Sequence, residues 1–377
     1  MVNKKPPWMA IRSHVADASR WSRDEPVHPS WIVGAALGMA VPMAVGAATG
    51  QVPLGMLASL GGLALSGVAA QGTLRRQSIQ SGYALVAGAA AILVGSAIGG
   101  QAWITGVAIV VTTILAALMG GVSRTAARYS SMFIIFVIIG SIFGGPGAAS
   151  PLGVTFIFLL GAIWTISVTL AASYLFRAAG WERIPSPGTI ADRQLAPPSI
   201  LRLLRHWLAS LHHLAGWQYT LRIGLCMTAC ETIAVLWGQA QSYWIAIVVA
   251  IVVHRRFGDT ISRVSKRAIG TFAGVIAGSL LLLWSPPAGL LVLVVAVLAA
   301  LRPLLKVRNY ALYSAVMTPL VFILLEFGNP VSPAIIAFRL IDTAIGLFIA
   351  IVLGYLIWPS RHSKISLSVG VHRPPSS

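Results

Sequence analysis

The chain reads as an all-α protein: a polytopic membrane helical bundle of about twelve transmembrane helices, arranged as two parallel six-helix repeats. Three observations predict this. Apolar stretches recur in pieces near the ~20 residues a helix needs to cross a hydrocarbon core. The 377 residues are 57% hydrophobic and only 10% charged, with a mean hydropathy of +0.83, whereas a soluble domain carries roughly 25% charged residues. Charge-free turns alternate with basic ones along the whole sequence. A spanning segment must satisfy its own backbone hydrogen bonds, which leaves helices or a closed barrel. The apolar runs are continuous rather than alternating, which excludes the barrel.

Residues 1–29 form a basic N-terminal segment with Lys4, Lys5, Arg12, Arg20 and Arg23 and no apolar core, so no cleavable signal peptide is expected. Trp8, Ile11, Val15 and Ala18 outline an amphipathic face within it. The first repeat, 30–177, holds spans near 30–49, 51–70, 79–98, 101–120, 128–144 and 151–176. The second, 217–359, holds spans near 217–237, 241–254, 268–284, 288–301, 310–326 and 333–358, and 360–377 is a tail. The eighth span is short and is expected to rely on snorkelling by Arg255 and Arg256.

Between the repeats, the linker 178–216 opens with Pro185, Pro187, Pro197 and Pro198. It then turns amphipathic: Ile200, Leu203, Leu204, Trp207, Leu208 and Leu211 share one face, and Arg202, Arg205, His206 and His213 lie off it. Such a helix either lies on the membrane surface or packs on the bundle. Cys226 and Cys230, the only cysteines, are spaced as packing residues of one helix face, and neither a metal nor a cofactor is expected.

The charges orient the bundle. With the N-terminus inside, the outward turns near Gly50, Gly100, Gly145, Gln239, Pro286 and Asn329 contain no Lys or Arg. All basic residues except Arg222 and Arg339 then fall in inward segments, which places both termini in the cytoplasm. The net charge of +18 is therefore read as facing anionic lipid headgroups, not nucleic acid. The halves resemble each other weakly: Gly34 matches Gly224, Arg76 matches Arg263, Tyr129 matches Tyr313 and Pro151 matches Pro333, at an offset that shrinks along the chain. Six spans per half make this a parallel repeat, a transporter-like plan.

Ionisable groups at membrane depth are functional candidates by default. Arg222 and Glu231 lie on the seventh span, Arg339 and Asp342 on the twelfth. Helical rise puts Glu231 and Arg339 at similar depth, so Glu231, Arg339 and Asp342 are expected to form one buried cluster. Two readings fit it: an anion site at Arg339 with Asp342 or Glu231 carrying a proton, or a neutralised ion pair locking helices. Gly270, Gly274 and Gly278 repeat every four residues and leave one face of the ninth span open to close packing. Arg267 and Thr271 share that face, and Arg267 either anchors to headgroups or lines the inner mouth of a path. Pro319 is placed to kink the eleventh span. Tyr243 and Trp244 are read as an interfacial aromatic belt. No Walker-type, H-E-x-x-H or G-x-S-x-G motif is present, so no enzymatic activity is expected.

The stretch from Tyr243, YWIAIVVAIVVHRRFGDTISRVSKRAIGTFAGVIAG, resembles the fusaric acid resistance family of aromatic acid exporters. It carries an aromatic pair, a basic loop, then R-x-x-G-T-x-x-G at Arg267, Gly270, Thr271 and Gly274. A later R-x-x-D-T-x-x-G is met by Arg339, Asp342, Thr343 and Gly346, the last assigned to helix packing. The first half departs from the pattern, with Tyr83 after Gly82 where Thr is expected. The resemblance implies an inner-membrane, proton-coupled exporter of aromatic or other organic carboxylates; the residues themselves place Arg339, Arg222, Arg267 and Thr271 along the anion path. It also implies, as partners beside membrane lipids and the organic anion, a homodimer and a periplasmic adaptor protein. A passive anion channel and a non-transporting accessory subunit are the alternatives.

Overall fold

The computed structural model describes residues 27–67, 73–182, 199–238, 242–255, 260–284, 286–327 and 332–358. The amphipathic N-terminal segment, the Pro-rich start of the linker, Arg256 and the C-terminal tail lie outside these residues. The described residues fold into thirteen α-helices and no strands. In chain order these are α1 (Pro29–Ala48), α2 (Val52–Leu65), α3 (Leu74–Ile98), α4 (Ala102–Met119), α5 (Arg124–Ser141), α6 (Pro151–Ala178) and α7 (Ile200–Leu211). Then follow α8 (Leu214–Trp237), α9 (Tyr243–Val252), α10 (Thr260–Leu283), α11 (Ala288–Arg308), α12 (Tyr310–Glu326) and α13 (Pro333–Ile351), the last extended by a π-helical turn at Val352–Leu356.

Each helix other than α7 coincides with one expected span. By length and composition, α1, α3, α4, α6, α8, α11 and α13 suffice to cross a membrane, and the chain is a multi-pass membrane protein. Its outward side chains are large and apolar, among them Val86, Trp103, Leu152 and Phe348, all more than half exposed. In water such a surface would be an aggregation liability, and in lipid it is the expected one. Helix starts carry the local chemistry that stops fraying: Ser150 accepts from the Gly153 amide and Ser332 from the Ile335 amide, each just before a proline in the first turn.

The same helix pairings occur in both halves. α1 packs on α2, α3 on α5 and α2 on α6, and α8 packs on α9, α10 on α12 and α9 on α13. Between halves the pairing is reciprocal: α1 meets α11 while α4 meets α8, and α5 meets α9 while α2 meets α12. Small residues allow the closest approaches. A Cβ on Gly161 would sit 1.9 Å from the Ala58 carbonyl oxygen, and one on Gly61 would sit 2.2 Å from that of Phe158. The α10 glycines behave likewise toward α12: a Cβ on Gly270 would lie 2.5 Å from the Ala311 oxygen, one on Gly274 2.7 Å from that of Ala315, and one on Gly278 3.1 Å from Pro319. Gly346 of α13 is pressed against Ile245 and Val248 of α9.

Two expectations are corrected. Helix α9 has ten residues, roughly 15 Å of rise, and does not rely on snorkelling. Trp244 through Ala250 are all buried, so protein rather than lipid surrounds it, and a protein-lined helix has no hydrocarbon thickness to match. Arg255 turns inward, donating to the Ala117 carbonyl and lying 4.5 Å from the centre of the Tyr219 ring. The basic residues Arg302, Lys306 and Arg308, expected in a loop, instead form the last turns of α11. The linker helix α7 takes a mixed position. Its Trp207 indole donates to the Leu118 carbonyl at the end of α4, while Leu201 and Leu208 stay exposed.

Candidate functional site

Two polar centres lie at opposite ends of α9 and α12. The first is a cavity of about 780 Å³ where α2 and α5 of the first half meet α9 and α12 of the second. Pockets of 300–1,000 Å³ take small molecules. Its walls are apolar, built from Ile135, Phe136, Ile247, Met317 and Val321, with Tyr129 and Tyr313 contributed by matched positions of the two halves. Six cations converge on it: Arg124, Arg128, Arg255, Arg267, Arg302 and Lys306. Among the described residues no acidic side chain lines it. Arg124, Arg128 and His254 are exposed and bring the rim to the surface, while Arg302 is buried.

Helix ends hold these cations in place. The C-terminal carbonyls of a helix lack partners and carry partial negative charge. At the end of α2, Arg302 donates to the Leu63 carbonyl (3.1 Å) and to Ser66 Oγ, and Lys306 donates to the Gly67 carbonyl (3.1 Å). At the end of α4, Arg255 and Trp207 take the Ala117 and Leu118 carbonyls, and Ser130 takes that of Ala116. Cations of the second half thus cap helices of the first. Burial pulls the Arg255 pKa below its ordinary value, but a guanidinium starts high enough to stay charged. Arg222 sits behind the wall. It is buried, donates from Nε to the Gly354 carbonyl at 2.6 Å and lies 4.6 Å from the centre of the Tyr355 ring, which does line the cavity.

The second centre surrounds Arg339. Its guanidinium is fully buried, pairs with Glu326 and donates to the Tyr243 hydroxyl at 2.6 Å. Its centre lies 5.0, 4.8 and 5.3 Å from the rings of Tyr243, Trp244 and Phe322, distances at which cation–π attraction is felt. Trp244 is itself fixed by a 3.0 Å bond to Thr343 Oγ1. Tyr243 and Trp244 are therefore not a lipid-facing belt but two walls of an arginine cage.

The expected cluster of Glu231, Arg339 and Asp342 forms only in part. Arg339 and Asp342 are buried together one turn apart. Glu231 is elsewhere: its carboxylate lies against Gly106 of α4, in a groove of about 320 Å³ with Trp103, Val107 and Thr228. Helical rise fixed the depth of Glu231 but not its direction around the α8 axis, and α8 turns that face to α4. Glu326, the last residue of α12, takes its place. Of the other expected site residues, Arg267 lines the cavity, whereas Thr271 is buried in α10 and does not.

Comparison with known proteins bears on the second half. Residues 226–353, from within α8 through α13, match the family described as fusaric acid resistance protein-like. The chain is 30% identical over 147 residues to the uncharacterized membrane protein YvaC of Bacillus subtilis, an alignment covering 38% of this chain and 23% of that protein. It is 31% identical over 140 residues to the uncharacterized protein YhfK of Escherichia coli, covering 36% and 20%, and 25% identical over 142 residues to an uncharacterized protein of Haemophilus influenzae, covering 38% and 20%. The chain thus spans about a fifth of the length of these relatives. No solved structure matches it.

Proposed function

We propose that the protein carries organic anions, aromatic carboxylates foremost, out of the cytoplasm across the bacterial inner membrane, with both termini inside. The observation that carries this reading is the cavity between the halves, lined among the described residues by six cations, no acid, apolar walls and two tyrosines. Basic side chains select anions, and apolar walls take the ring or chain that bears the charge. The match of residues 226–353 to the fusaric acid resistance protein-like family supports the same reading. So do the matching helix pairings, which we take as a parallel duplication with the path at its interface.

The packed Arg339 cage at the far ends of α9 and α12 favours a carrier over an open channel, since it closes the direction in which an anion would leave. We assign proton coupling to Asp342, buried beside this cage, with Glu231 as a second carboxylate at membrane depth. The test is uptake of labelled 4-hydroxybenzoate into inside-out vesicles, with and without a proton gradient, for the native chain and Asp342→Asn. Gradient-driven accumulation that Asp342→Asn reduces to equilibration supports the reading. Gradient-independent equilibration by the native chain would make it a channel, and no flux would overturn transport of this anion class.

A further inference from the structure

We infer that the cavity takes anions carrying two or more negative charges on an apolar body, in preference to monoanions. This rests on the proposal that the cavity binds the transported anion, and it adds the charge of that anion. Among the described residues, Arg124, Arg128, Arg255, Arg302 and Lys306 have no carboxylate within ion-pair distance. Their recorded partners are neutral: carbonyl oxygens at the ends of α2 and α4, the Ser66 hydroxyl, and the faces of Tyr219 and Trp31.

Neutral partners orient a cation without cancelling it. A helix terminus supplies only about half a charge, shared here among Arg128, Arg302 and Lys306, and a ring face supplies less. Arg302 is buried, so its field is poorly screened by water. A singly charged carboxylate would leave most of this potential unanswered.

The cations fall into separate groups: Arg128, Arg302 and Lys306 gather at the end of α2, whereas Arg255 sits at the end of α4. Arg124 and Arg128 come from α5, Arg302 and Lys306 from α11, and Arg255 follows α9. One carboxylate cannot reach all of them, but charges distributed over a ring can. The cavity's volume of about 780 Å³ and its apolar wall of Phe136, Ile247 and Met317 suit such a ring. A phosphate-bearing lipid with acyl chains would meet the same cations, so the experiment uses nanodiscs of neutral phosphatidylcholine, adding anionic lipid in a separate arm.

The measurement is equilibrium binding of benzoate, benzene-1,3-dicarboxylate and benzene-1,3,5-tricarboxylate to the full chain in these nanodiscs at low salt. Each added carboxylate should tighten binding about fivefold, with a salt dependence that steepens along the series. Arg302→Gln should weaken the tricarboxylate more than benzoate. Arg124→Gln, at an exposed rim residue that does not bond the α2 or α4 carbonyls, should show the same bias. Equal affinity for all three acids would overturn the inference and leave the anion cavity standing. Binding of none would overturn both. Loss of tricarboxylate binding when anionic lipid is present at low mole fraction would assign the site to lipid headgroups and overturn the soluble ligand.

Discussion

The guanidinium of Arg339 sets the terms at the scale of single residues. It is fully buried and its only carboxylate partner among the described residues is Glu326. Removing one partner of a buried pair leaves an uncompensated charge, at a cost of about 3–5 kcal/mol. Arg339→Ala should therefore lower the unfolding midpoint in detergent sharply, and the added Glu326→Gln change should restore part of the loss. No recovery in the double variant would mean that the cage, not the charge pair, holds α12 to α13. The sequence showed that Arg339 and Asp342 are buried on one helix face, because their spacing and the apolar context fix that much. It concealed Glu326, which ends its helix and looks solvated, although among the described residues Glu231, Glu326 and Asp342 are the only acids in second-half helices. It also misdirected Glu231, since depth along a helix is legible in sequence and the neighbour it faces is not.

Helices are where the sequence was most informative. A four-residue glycine period names a close-packing face without naming the partner, and the structure supplies it: α12, whose backbone would meet any added Cβ. Gly274→Val should cost about 1–3 kcal/mol through overpacking, read as a fall in the thermal midpoint. Leu280→Val on the same helix, exposed toward lipid, should change little. Equal effects would deny that this face is the tight one. Hydropathy alone could not foresee that α9, the most apolar stretch, is short because it is enclosed by protein. Nor could it foresee that α11 continues through Arg302 and Lys306, since charged residues at a helix end and in a loop have the same hydropathy.

The whole molecule brings these pieces to one place. Reciprocal packing of α2 on α12 and α5 on α9 leaves the basic cavity at the meeting of the halves, and no local motif announces it. Its cations were visible as inward-facing basic clusters, but their convergence depends on the fold. The proposed orientation has its own check. Cys226 and Cys230 are buried, so they leave a silent background for labelling with an impermeant maleimide. In intact cells Gly147→Cys should label and Arg205→Cys should not; the reverse would invert the topology.

The central claim is that the cavity is the anion's binding place, and its wall can be probed directly. Met317→Cys puts a thiol on that wall. Its alkylation rate by an impermeant maleimide would be followed in inside-out vesicles with and without 4-hydroxybenzoate. We expect labelling from the cytoplasmic side that slows as the anion is added, while the rate at an exposed control site, Arg205→Cys, stays constant. Labelling indifferent to the anion, or no labelling at all, would contradict the account.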